Sequence, residues 1–211
     1  MLKWGSRRPE SPPVASPAPA APRDAIVASK VFPRFFAAIR HQPSPALLDL
    51  GPVVGSNVSF FGERLACKLY VEDLYSDVEE HARRGERAAL AKFLANRLTQ
   101  APGSIDGILC WDLFDFLDRP AGLVLAARLA GMLRKGGALY GNFGTTAVEL
   151  KHYTKTVIVT EDSLKHRLSP AFPVMRTVLL TRDIIKMFDG LIVAESVLLK
   201  SSTRETLFRR P

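Results

Sequence analysis

Between residues 46 and 143, short apolar runs alternate with amphipathic stretches, and no other feature limits the possible folds of this chain so sharply. Residues 46–50, 67–72, 105–111 and 138–143 read as strands. Residues 56–65, 76–84, 86–98 and 120–134 read as helices, with residues 51–55 forming a glycine-bounded turn. A strand that is apolar along its whole length needs cover on both faces. A helix between two strands is also the connection that lets them run parallel. The expected fold is therefore α/β, with a mostly parallel sheet and helices on both faces.

The last third reads differently. Residues 155–160 and 176–180 are expected as strands, and Thr181 as the cap of a helix over residues 182–188. Residues 191–199 and 205–209 flank a turn at 200–203, which predicts an antiparallel hairpin at the close of the chain. At the other end, residues 1–23 are rich in Pro and Ala and have little to bury, so they read as a disordered tail before a domain spanning residues 24–211. Asp24 is expected to cap a helix running to residue 40, with Val27, Val31, Phe35 and Ile39 on one face and a kink at Pro33.

The formal net charge is +8, and Lys3, Arg7, Arg8 and Arg23 against Glu10 carry +3 of it in the tail. A basic chain favours anionic substrates or nucleic acid, although no dense basic block is present. No apolar run reaches the roughly 20 residues of a membrane helix. The basic N-terminus lacks the apolar stretch of a signal peptide, so no membrane association and a cytoplasmic location are expected. Cys67 and Cys110 fall on strands that are not neighbours and are expected as buried free thiols. The four histidines show no metal-ligand spacing with them, and neither a phosphate-binding loop nor a nucleophile elbow occurs.

Four segments carry the candidate chemistry. In Leu47-Leu48-Asp49-Leu50-Gly51-Pro52-Val53-Val54-Gly55 a strand enters a glycine turn before a helix, where free backbone N–H groups face a ligand's polar end. In Val71-Glu72-Asp73-Leu74 an acid ends the next strand, 22 residues after Gly51, at the spacing of a ribose-binding carboxylate. The third segment, Ser104 to Leu117, ends its strand at Trp111 and Asp112. In the fourth, Leu133-Arg134-Lys135-Gly136-Gly137-Ala138, a helix stops at a left-handed glycine and a strand begins.

In this order the four segments resemble the motifs of the class I S-adenosylmethionine-dependent methyltransferases, and the closing hairpin is similar to the one that ends that fold. The resemblance covers roughly residues 24–211. It implies a Rossmann-like, seven-stranded type of sheet and S-adenosylmethionine as cofactor. It places Asp49, Gly51 and Gly55 around the methionine part, Asp73 at the ribose, Leu74 beside the adenine, and Trp111 and Asp112 near the sulfonium. Two departures stand out. Val53 replaces the family's middle glycine, and no acid between residues 93 and 105 takes the place of the one that reads the adenine amino group.

No catalytic residue is assigned from sequence, because methyl transfer from a sulfonium depends chiefly on positioning. Residues 144–180 are expected as a lid or acceptor platform, with His152 and Tyr153 as acceptor contacts. Lys151, Lys155, Lys165, His166, Arg167 and Arg176 make this segment basic, suited to an anionic molecule. Two readings follow: a methyltransferase acting on an unidentified small molecule (RNA being a further acceptor, for which the basic tail speaks), or a methyltransferase-like binding or scaffolding protein without activity.

Overall fold

The computed structural model describes residues 26–211. The expected tail and the capping role of Asp24 lie outside the described residues. In chain order the elements are β1 (Ile26–Ala28), α1 (Phe32–Ile39), β2 (Ala46–Asp49), α2 (Gly55–Leu65), β3 (Lys68–Val71), α3 (Leu74–Arg83), α4 (Arg87–Arg97) and β4 (Ile105–Trp111). A 3₁₀ turn (Leu113–Phe116) leads to α5 (Arg119–Met132), β5 (Leu133–Gly144), β6 (Glu149–Ile158), β7 (Ser163–Met175), α6 (Thr181–Met187), β8 (Ile192–Leu198) and β9 (Thr203–Arg209).

The main sheet has six strands in the order β3-β2-β4-β5-β9-β8. β3, β2, β4 and β5 are parallel, and β9 and β8 complete the sheet as the expected antiparallel hairpin. Side chains alternate across β4: Ile108 and Cys110 join a core under α3 to α6, while Leu109 and Trp111 join a second core under α1 and α2. α1 buries Phe32, Phe35, Phe36 and Ile39 in that second core, each contributing roughly 1.5–3 kcal/mol.

Several expectations are corrected. The mostly parallel sheet with helices on both faces forms as expected, but among the described residues it has six strands where a seven-stranded type was expected: α3 and α4 are joined by residues 84–86 alone, so the chain does not return to the sheet there and β3 remains the edge. The first helix begins at Phe32, with Pro33 in its first turn, where a missing N–H costs nothing. Residues 26–28 form β1 instead. α5 ends at Met132, and the left-handed Gly136 (φ +74°) lies inside β5, not at a helix stop. Thr181 is the first residue of α6, and no side chain caps that helix. Cys110 is buried but Cys67, one residue before β3 and not on a strand as expected, is only half-buried; both are free, and β2 lies between β3 and β4.

Residues 144–180 hold more structure than a loop. β6 and β7 form a long antiparallel hairpin, and β1 adds to the outer side of β7, giving a three-stranded sheet. The expected strand at residues 176–180 does not form; β7 ends at Met175. This second sheet is fastened to α2 through Asn57, whose Nδ2 donates to Thr156 O (2.8 Å) and whose Oδ1 accepts from Ile158 N (2.8 Å). Asn57 is buried, so both backbone groups depend on it. Asn57→Ala is expected to cost about 2 kcal/mol in chemical denaturation. It should also speed hydrogen exchange at the Ile158 amide; unchanged exchange there would show that the fastening does not hold β6.

Candidate functional site

At the carboxyl edge of the parallel strands, the turn after β2 is set by Asp49. Its Oδ1 accepts from Gly51 N (2.9 Å) and from Trp111 Nε1 (2.7 Å). Burial pushes the Asp49 carboxyl up to about 6, against the pull of those two donors. A Cβ on Gly51 would lie 2.8 Å from Trp111 Cδ1 and 3.1 Å from Asp49 Oδ1, so glycine is required here by the indole. Trp111 itself takes a left-handed backbone conformation (φ +48°) at the end of β4. This is a strained geometry for a bulky residue. Its ring is held between Phe32 (6.2 Å) and Tyr140 (5.8 Å).

α2 begins at Gly55, and no side chain caps it, which leaves first-turn amides available to an anionic group. A Cβ at Gly55 would meet nothing within 4 Å, and Val53 is 67% exposed. Asp73 caps α3, accepting from Ser76 N (3.3 Å) and Ser76 Oγ (2.9 Å). A carboxylate has about four lone-pair sites, so Asp73 keeps capacity for hydroxyl donors. Leu74 is fully buried in the core beneath, and offers no surface to an adenine. Glu72 is taken up by Arg97 (2.7 Å) and Gln100 (3.0 Å).

Asp112 lies one residue beyond β4 and is half-buried. The Tyr75 hydroxyl and the Thr154 hydroxyl bond to it, and burial raises its pKa. Tyr153 stacks near Tyr75 (centroids 5.2 Å apart) and so reaches Asp112 only through it. His152 is exposed on β6, opposite Pro170 of β7. The structure therefore brings Asp49, Gly51 and Trp111 together, links Asp112 to α3 through Tyr75, and leaves His152 apart.

Beside Asp112, a cavity of about 180 Å³ opens where β4, β5 and β9 meet the second sheet. Asp112, Asp115, Asn142, His166, Arg176 and Glu205 line it. Arg176 Nε pairs with Asp115 Oδ2 (2.9 Å), while Gly144 N donates to Asp115 Oδ1 (2.9 Å). Burial nevertheless pushes the Asp115 carboxyl up to about 7. Glu205 accepts from the Tyr140 hydroxyl (2.9 Å) and, more weakly, from Lys30 N (3.3 Å). Burial lowers the pKa of His166. The basic residues of the 144–180 segment had pointed to an anionic acceptor, yet three carboxylates line the cavity beneath it. Sequence reasoning missed Asn142 and Glu205, which carry no local signal, and left Asp115 without a role; its place three residues after Asp112, at the same strand end, was the available clue. Among the described residues no group of His, Cys, Asp and Glu is placed to hold a metal, and no helix is long and apolar enough to cross a membrane.

No protein-family model matches this chain, and no curated protein matches it in sequence. Among solved structures it is similar to the PH0226 protein from Pyrococcus horikoshii OT3 (TM-score 0.54, 12% identity, covering 86% of this chain and 88% of that one). It also matches the CcbJ methyltransferase from Streptomyces caelestis (TM-score 0.49, 15% identity, 85% and 94% covered). A third match is the Burkholderia thailandensis 1,6-didemethyltoxoflavin-N1-methyltransferase (TM-score 0.49, 14% identity, 86% and 77% covered). Identities this low speak to fold alone. With its mostly parallel sheet, glycine turn and closing antiparallel hairpin, the chain has a mixed α/β fold that it shares with the PH0226 protein.

Proposed function

We propose that this protein is an S-adenosylmethionine-dependent methyltransferase acting on a small molecule. The observation that carries the reading is the position of Asp112, which directly follows Trp111, the residue packed on Gly51 of the glycine turn, and which also lines the polar cavity. An acceptor in that cavity would sit next to the crevice in which the fold holds its cofactor.

The residues present fit the methionine and ribose ends of the cofactor. The uncapped start of α2, the open space at Gly55 and the spare acceptor capacity of Asp73 are the features that would hold them. Leu74 supplies nothing to the adenine end. S-adenosylmethionine would bring the transferable methyl group. The chain's part is to orient the acceptor, exclude water and hold a proton. The raised pKa of Asp112 suits it to take a proton from an acceptor N–H or O–H.

The second reading, a binding or scaffolding protein without activity, draws on a specific observation. Asp49, Trp111 and Leu74 are each committed to the interior. Calorimetric titration with S-adenosylhomocysteine, beside a Val53→Gly variant, separates the two. Micromolar binding by the natural chain is the expected result. No binding by the natural chain, with binding gained by the variant, would establish the second reading.

A further inference from the structure

We propose that the cavity at the ends of β4, β5 and β9 is a binding site for a small organic cation, an ammonium or amidinium compound; as the identity of the methyl acceptor this rests on the methyltransferase reading, whereas as a binding site it does not. Size sets the first limit on the guest. A cavity of about 180 Å³ lies below the ~300–1,000 Å³ usual for drug-sized ligands. The guest is therefore a compact molecule.

Charge narrows the class further. Three carboxylates face the space: Asp112, Asp115 and Glu205. The one arginine, Arg176, is already paired with Asp115 at 2.9 Å. His166, driven toward its neutral form by burial, adds no cation. Asp112 and Glu205 receive only neutral donors: the hydroxyls of Tyr75, Thr154 and Tyr140 and the backbone N–H of Lys30. Half-buried Asp112 and buried Glu205 form no ion pair among the described residues, which disfavours an anionic guest and favours a cation.

Hydrogen bonding agrees. Asn142 Oδ1 is buried without any partner, and Asn142 lines the cavity. That oxygen is unpartnered at the cavity's wall, and a guest N–H that reached it would satisfy it. With Asp112 and Glu205 it makes a set of acceptors suited to N–H groups. The lysines and arginines of the second sheet do not alter this. Lys155, Lys165 and Arg167 are not among the residues lining the cavity, whereas Thr154, Thr156 and His166 are.

The test uses the full chain and four probes of matched size: histamine and putrescine as cations, imidazole-4-propionate and succinate as anions. Calorimetric titration is run on the natural protein and on Asp112→Asn and Asn142→Leu, with circular dichroism and thermal melting to check that each variant is folded. The expected result is binding of at least one cation tenfold or more tighter than its anionic counterpart, weakened tenfold or more in Asp112→Asn. Loss in Asn142→Leu is expected as well, and that variant decides the matter if Asp112→Asn does not fold. Equal or tighter binding of the anions, or binding of none of the four at 20 mM, overturns the proposal. Parallel titration with S-adenosylhomocysteine keeps the two readings apart. Cofactor binding without cation binding leaves the methyltransferase reading standing alone, and the reverse leaves a cation site without it.

Discussion

Replacing Trp111 with alanine is expected to destabilise the protein by about 3–5 kcal/mol, the range for emptying a large aromatic site in a packed core. The indole lies against Phe32 and Tyr140, and Phe32 in turn stacks on Phe35. The same substitution removes one of the two donors to buried Asp49, so part of the loss is electrostatic. Trp111→Phe separates the contributions. It keeps most of the contact and deletes only the N–H, with an expected cost of about 1–3 kcal/mol. Both variants should disturb the glycine turn, because Gly51 is shaped around the indole. Urea denaturation beside S-adenosylhomocysteine titration reads both effects. If phenylalanine proves as damaging as alanine, the hydrogen bond to Asp49 outweighs the packing.

The second large effect is expected at Arg176. Its side chain is 16% exposed and that of Asp115 6%, so Arg176→Met leaves a carboxylate buried without its counter-charge. The expected loss is about 2 kcal/mol at pH 8.5, because a carboxyl that stays protonated forfeits about 1.4 kcal/mol for each pH unit above its natural pKa. Its pH dependence has a definite sign. Asp115 in the folded chain is already raised to about 7 from an ordinary 3.8, so folding favours its protonated form. The stability gained that way is complete below the unfolded pKa and is lost as pH rises through the folded one. Without the guanidinium the folded pKa moves higher still. The deficit of Arg176→Met should therefore be small at pH 5 and large at pH 8.5. Adding Asp115→Asn should recover much of it, since the pair then fails together. Equal deficits at the two pH values would mean that the arginine acts through packing alone.

The parallel half of the sheet was legible in the sequence because its signals are local. Leu47 and Leu48 on β2, or Ile108 and Leu109 on β4, announce buried strands within a few residues, and Gly51 marks the turn after β2. The second sheet was not legible. β1 has three residues, embedded in a pattern that repeats every fourth position. β7 carries Pro170 and Pro173, which argue against a strand until the topology shows that β1 pairs only with residues 163–165. Beyond them one side of β7 has no partner among the described strands, and proline is tolerated at such an edge. The candidate site follows the same division. Asp49, Gly51, Asp73 and Asp112 could be found from motif spacing. The fate of Asp49 could not, because its partner Trp111 is 62 residues away. Nor could the cavity, to which Asn142, His166 and Glu205 come from β5, β7 and β9.

The three residue pairs that join β1 to β7 span almost 140 positions of sequence, whereas β6 and β7 meet across a short turn. Closing so long a loop costs about 3 kcal/mol more than closing the hairpin turn, at ~0.6 kcal/mol per doubling of length, and the search for it is slow. The hairpin can therefore assemble early and by itself, with β1 arriving last. Unfolding in the reverse order makes β1 the first strand to leave. Val27 and Ala28 also line the cavity, so detaching three residues would uncover its mouth while the six-stranded sheet remains intact. Release of those three residues would thus open one wall of the cavity and leave in place the sheet that carries Asn142 and Glu205.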